Sequence, residues 1–212
     1  MKSWVYGTFI FWALLACVSL AAPEPAIVPR PGQWTVDVTF EHPEQIVLQR
    51  GPASQPGRFW YTIVTLTNNT KQDVDFYPKC DLMTDTFQIV PAGRHVPPRV
   101  FQLIKTRHQG KYPFLEPLEK TDSKILQGED HTKDLAIIWP DFDVQATGIK
   151  LFITGLSNET AALNHPVAKD DAGQPVKVFL RKTLELSYDL KGDPALRPYL
   201  QVGYKGQRWV MR

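Results

Sequence analysis

From residue 176 to residue 190 the chain alternates with a period of two: Val176, Val178, Leu180, Leu184, Leu186, Tyr188 and Leu190 are apolar, and Lys182 alone interrupts the stripe. A strand sends alternate side chains to opposite faces, whereas a helix would scatter these seven around its axis, so the segment is a long strand or a bent pair of strands. The pattern recurs at Trp34, Val36, Val38 and Phe40, interleaved with Thr35, Asp37, Thr39 and Glu41. Residues 59–66 are apolar on both faces apart from threonines, as a central strand covered from both sides requires.

Further strands are predicted at 74–77, 86–90, 99–106, 135–139 and 149–154. After Gly192-Asp193-Pro194, the residues Leu200, Val202 and Tyr204 make one more, and Gly206-Gln207 turns into Trp209 and Met211 as a closing hairpin. Helical signals are confined to 115–123 and to 157–163, where Ser157 is a cap candidate. With 18 prolines and 13 glycines between short apolar runs, the expected fold is all-β: a single-domain, immunoglobulin-like antiparallel β-sandwich over residues 33–212.

Ahead of that domain, Lys2 precedes a run without charge at residues 4–22, and Pro23 opens a segment containing Pro25, Pro29 and Pro31. The first part has the layout of a signal peptide, residues 1–21, with small residues Ser19 and Ala21 at the positions signal peptidase reads. Residues 22–32 are an extended proline-rich spacer. Two alternatives remain open. Leu14-Leu15-Ala16-Cys17 resembles a lipobox, which would acylate Cys17 and make the protein a membrane-anchored lipoprotein, and an uncleaved run of this length would span a bilayer. The expected location is secreted or periplasmic, with membrane contact through Cys17 or an uncleaved signal.

The chain has two cysteines, Cys17 and Cys80. Removal or acylation of the first leaves Cys80 without an intrachain partner, so the domain relies on its core, and Cys80 reads as a small buried side chain. The formal charge is +2, which excludes the strongly basic surface expected of a nucleic-acid partner. Charge is nevertheless segregated. Residues 94–111 hold basic residues and no acidic ones, making Arg94, Arg99, Lys105 and Arg107 candidates for an anionic ligand, while residues 116–143 are predominantly acidic.

The segment YTIVTLTNNTKQDVDF, residues 61–76, resembles the strand, Asn-rich turn and strand of bacterial exported immunoglobulin-like β-sandwich proteins of uncharacterised function. LQGEDHTKDLAIIWPDFD, residues 126–143, is similar to their glycine-acidic turn before an apolar strand. The resemblance implies a sandwich in the cell envelope and brings no catalytic residues with it.

Chemistry-bearing motifs are sparse. His42, His95, His108, His131 and His165 show no pair at the two- or four-residue spacing that puts two imidazoles on one face. The order of Cys80, Met83 and His95 is wrong for a cupredoxin, and no cofactor is expected. Gly-x-Ser-x-Gly, Ser-x-x-Lys and the phosphate-loop motifs are missing. The catalytic candidates are carboxylates: Glu129 and Asp130 before the 135–139 strand, Asp141 and Asp143 after it, which would act as a glycosidase pair if sheet ends brought them together. Trp60 and Trp139 read as core residues. Trp209 and Tyr204, near the basic C terminus, are the candidates for an exposed sugar-binding surface. The expected function is therefore an exported, non-catalytic binding or structural module whose partner is an envelope protein or a glycan. The alternative is a secreted polysaccharide-active hydrolase or carbohydrate-binding module.

Overall fold

The computed structural model describes residues 25, 30–49, 55–199 and 201–212. The signal segment 1–21 with Cys17, and most of the spacer 22–32, lie outside the described residues. No helix among the described residues is long and apolar enough to cross a membrane.

In chain order the elements are β1 (Asp37–Phe40), β2 (Glu44–Leu48), β3 (Gly57–Asn68), β4 (Val74–Asp75), β5 (Lys79–Thr84), β6 (Ile89–Pro91) and α1 (Pro98–His108). They continue with β7 (Glu116–Pro117), β8 (Lys124–Ile125), β9 (Gly128–Pro140), β10 (Gly148–Thr154), β11 (Thr160–Lys169), β12 (Pro175–Asp189) and β13 (Gly203–Met211). One sheet runs β1-β3-β9-β7, with β2 following β1 along the same edge of β3. The other runs β11-β12-β10-β5-β6, with β13 on the edge of β12 opposite β10 and β11. All ladders are antiparallel except the short β7–β9 pairing. The strands β4 and β8 form a small separate ladder.

The two sheets pack face to face, and the fold is the all-β sandwich that the strand spacing predicts. Between them lie Trp60, Val64 and Leu66 of β3, Leu135, Ile137 and Trp139 of β9, Leu82 of β5, Leu151 and Ile153 of β10, and Leu184, Leu186 and Tyr188 of β12. Trp60 and Trp139 are fully buried there, each contributing about 1.5–3 kcal/mol or more by apolar burial. Cys80 is a free, buried thiol in the same core, and burial pushes its ionisation far up.

The opposite face of β3 is apolar too, through Phe59, Tyr61 and Ile63, and its cover is α1. This corrects the strand expected at 99–106. Val100 and Ile104, four residues apart, point one helical face at the sheet. Pro98 starts the helix where its missing N–H costs nothing, and Lys105, Arg107 and His108 sit in the last turn, where cations complement the helix dipole.

Three further differences concern the ends of elements. The helical turn expected at 157–163 is instead an isolated bridge from Ser157 to Thr35 followed by the start of β11, whose residues pair with β12. The turn at 115–123 is reduced to a 3-10 turn at Leu118–Lys120. The closing hairpin is instead one strand, β13, because Gly206 at φ 144° forms a bulge opposite Ser187 and Tyr188. The unpaired residue, Lys205, sets Tyr204 opposite Tyr188 and Trp209 opposite Leu184, so both rings lie on the same side of the strand despite their odd spacing, Tyr204 at the rim and 43% exposed.

Candidate functional site

Two ends of the sandwich gather polar side chains, and they differ in what those groups leave available. At the first, β2, β3 and the C-terminal turn of α1 converge. The Tyr61 hydroxyl donates to Glu44 Oε2 at 2.7 Å, and His108 Nε2 lies 2.9 Å from the same phenol oxygen. With the phenol proton given to Glu44, hydrogen-bond accounting makes His108 Nε2 the donor. Arg107 Nη1 adds contacts of 3.4 Å to Glu44 and 3.3 Å to Tyr61. Alongside, Lys111 and the Tyr112 hydroxyl both donate to Glu41 Oε1.

These contacts move the titrations in directions that favour the bonded forms. Burial, reinforced by the hydrogen bond to Glu44, raises the Tyr61 phenol. Burial lowers His108 and keeps its ring neutral, while the hydrogen bonds from Lys111 and Tyr112 hold Glu41 below the usual carboxylate range. Tyr61 is buried, and its hydroxyl is spoken for by three neighbours, so the cluster offers no accessible nucleophile. Its effect is to latch the end of α1 onto the sheet.

The second end is open. A groove of about 610 Å³ lies between β4 and the β10–β11 connection, lined by Trp34, Asp73, Asp75, Tyr77, Asn158 and Arg181 among others. Its wall is tied down across a long sequence separation. Asn158 Oδ1 accepts from Trp34 N at 2.8 Å, Asn158 Nδ2 donates to Gly32 O at 2.8 Å, and Ser157 Oγ donates to Trp34 O at 2.7 Å. Beneath Tyr77 the chain passes so closely that a Cβ on Gly155, at φ 98°, would stand 2.9 Å from the Tyr77 carbonyl oxygen. Only glycine fits that approach. Tyr77 itself is 67% exposed, which leaves a ring, two carboxylates and a guanidinium facing one concavity with a fixed floor.

From this end β11 and the first half of β12 project as a hairpin arm. The Asp170 carboxylate closes its tip by accepting from Ala172 N and Gln174 N. His165 Nδ1 accepts from Val167 N and Ala168 N, filling the bulge between Asn164 and Lys169.

The residues singled out in the sequence fall elsewhere. Glu129 and Asp130 stand at the start of β9, and Asp141 and Asp143 lie just past its end, about 35 Å away along an extended strand. That is well outside the roughly 5–10 Å a glycosidase pair needs. Asp141 instead accepts from Trp60 Nε1 at 3.0 Å and Gln45 Nε2 at 3.1 Å, anchoring core side chains. Asp143 accepts from Gln145 N in a turn, and that bond lowers its pKa.

Of the basic set, Arg94 and Arg99 are exposed near the start of α1 and Lys105 is half-buried. Arg107, about 12 Å further along the helix from Arg99, is engaged by Glu44 and Tyr61. Trp209 is half-buried against the core with Lys182 Nζ 5.2 Å from its ring centroid, and Tyr204 packs among Phe40, His42 and Tyr188. Trp209 is thus largely covered, while Tyr204 keeps 43% of its surface exposed beside these rings. Among the described residues, no group of three His, Cys, Asp or Glu side chains is placed to hold a metal ion.

The groove was not legible as a site because its residues read as strand ends and turns. Trp34 belongs to the alternating run before β1, and its partner Asn158 is 124 positions away. Comparison with protein-family models, with curated proteins and with solved structures finds no match to this chain.

Proposed function

We propose that the protein is an exported, non-catalytic binding or structural module of the cell envelope, and that the groove end with its arm is the recognition surface. The observation that carries this reading is the groove, where an exposed ring and unlike charges share one concavity over a rigid floor. The uncharged run at residues 4–22 supports export. The separation of the candidate carboxylates supports binding over hydrolysis. A glycan in the groove is the second reading, favoured by Trp34 and Tyr77 lining the same space.

The test is retention of the protein on isolated envelope fractions, with soluble oligosaccharides as competitors. Tyr77→Ala removes an exposed ring and leaves the fold intact, so its expected result is a binding loss of about 2 kcal/mol. Retention that is the same for wild type and Tyr77→Ala would remove the groove from the function, and competition by oligosaccharide would select the glycan.

A further inference from the structure

The second sheet turns one face to the core and the other away from it, while α1 and the 3-10 turns at Leu118–Lys120 and Pro194–Tyr199 contact β2 and β9 of the first sheet. Across that outer face Asp81 of β5, Phe152 of β10, Glu185 of β12 and Arg208 of β13 stand in one row, each opposite the next. The two carboxylates form its floor, with side chains 8% and 5% exposed. Cations lie over them: Lys79 at 3.3 Å and Arg212 at 3.5 Å from Asp81, Lys150 at 3.3 Å and Arg208 at 3.0 Å from Glu185. The Arg212 guanidinium also covers the Phe152 ring, 4.1 Å from its centroid.

An ordinary solvated face intersperses the two signs. Here the acids are sunk and the bases are outermost, Lys79 and Arg208 being 73% and 64% exposed. Arg181, at the rim of the groove, stands opposite Arg212 through reciprocal backbone bonds of 2.8 and 3.1 Å, and like charges so opposed destabilise a ladder. The patch thus sets five basic side chains against two acidic ones. Toward the β5–β6 turn the Lys205–Asp189 pair adds no net charge and Asp85, bound by Thr147, subtracts one, so the whole face keeps a surplus of two.

Such a face fits a plane of negative charge. Lys79, Lys150, Arg181 and Arg208 belong to four different strands, about 14 Å from first to last, so the charge is spread in two dimensions, whereas a linear polyanion is tracked by a groove. At one border Phe87, 86% exposed at the tip of the β5–β6 turn, lines a hollow with Met83 and Lys150. An apolar group beside cations is the combination that holds a protein at a lipid interface. We propose that the outer face of the second sheet docks on an anionic phospholipid surface, with its cations over the headgroup phosphates and Phe87 at the interface. This is a second surface, separate from the groove, and its contact is reversible, because each basic residue near such a surface contributes about fivefold in binding.

The experiment is co-sedimentation of the full chain with phosphatidylcholine vesicles made with and without phosphatidylglycerol. The apolar run at residues 4–22 is common to wild type and variants, so the readout is the difference between them. Lys79→Gln and Lys150→Gln each leave the carboxylate below paired with an arginine, and unchanged thermal unfolding confirms that they fold. On anionic vesicles each should bind about fivefold more weakly than wild type, with the losses multiplying in the double variant. Lys120→Gln removes the same charge from an exposed position beside the first sheet and should bind as wild type does. Added salt should weaken wild type, and on neutral vesicles the proteins should not differ. As a second measurement, an amine-reactive label on wild type should lose Lys79 and Lys150 on anionic vesicles and keep Lys120. Equal losses in Lys120→Gln and the face variants, or labelling of Lys79 indifferent to anionic lipid, would overturn the inference. It fails equally if the face variants bind vesicles normally and dextran sulfate more weakly, since the face then serves a soluble polyanion. Tyr77→Ala should bind the vesicles as wild type does, so loss of either surface leaves the other standing.

Discussion

The two halves of β12 share one pattern and have opposite fates. In the C-terminal half, Leu184, Leu186 and Tyr188 face the other sheet and are almost completely buried. In the N-terminal half, Val176 and Val178 continue the same alternation and are each 37% exposed. Between them is Lys182, whose Nζ is 3.1 Å from Glu159 Oε2 and 3.4 Å from Thr35 Oγ1, at the level where the first sheet's cover ends. Alternation reports which face of a strand is apolar. It does not report whether anything lies opposite, and here the change is marked by one ion pair.

The sharpest way to break the comparison is at that boundary. Glu159 and Lys182 are both buried, and removing the charge from one side of a buried pair costs about 3–5 kcal/mol. Glu159→Gln should therefore lower the unfolding free energy by about that amount, measured by denaturant titration. Replacing both residues with leucine should recover most of the loss, because apolar substitutes for a buried pair are often neutral or stabilising. A double variant as unstable as Glu159→Gln would mean that the charges support the fold in their own right.

The next effect sets the halves directly against each other. Leu186→Ala opens a cavity between two packed sheets and should cost about 2–5 kcal/mol. Val178→Ala removes a similar apolar group from the arm and should change stability by less than about 0.5 kcal/mol in the monomer. Equal losses at the two positions would show that the arm is covered within a single chain.

The same distinction governs how much of the molecule was legible in the sequence. The apolar runs of β3, β9, β10 and β12 identified the sheets because period-two burial is a local property of the chain. The helix α1 was misread because Val100, Phe101, Leu103 and Ile104 fit a short strand about as well as a helical face. What settles the matter is the uncovered outer side of Phe59, Tyr61 and Ile63, more than thirty positions away. The β13 hairpin was misread because Gly206 serves a bulge as readily as a turn. The groove escaped for a related reason. Trp34, Tyr77, Asn158 and Arg181 meet only through the return of the chain after β10, and no local spacing encodes that meeting.

The smallest expected effect concerns α1, a cover over an apolar face of the kind the arm lacks. Part of its attachment is Glu41, which accepts from Lys111 and Tyr112 and whose pKa those bonds lower. A carboxyl with a folded pKa below its unfolded one stabilises the native state fully above the unfolded value, and that contribution disappears as pH falls through the folded value. Lys111 is largely exposed and Glu41 partly so, so solvent screening keeps the contribution small. Glu41→Gln should lower the melting temperature slightly at neutral pH, and the gap to wild type should close on acidification below the ordinary carboxylate range. If the helix end loosens there, a dye that reports exposed apolar surface should bind wild type in acid and bind Glu41→Gln at a higher pH. The outer face of β3 would then begin to behave as the arm already does. A melting-temperature gap that stays constant across that range would show that α1 is held by Val100 and Ile104 alone.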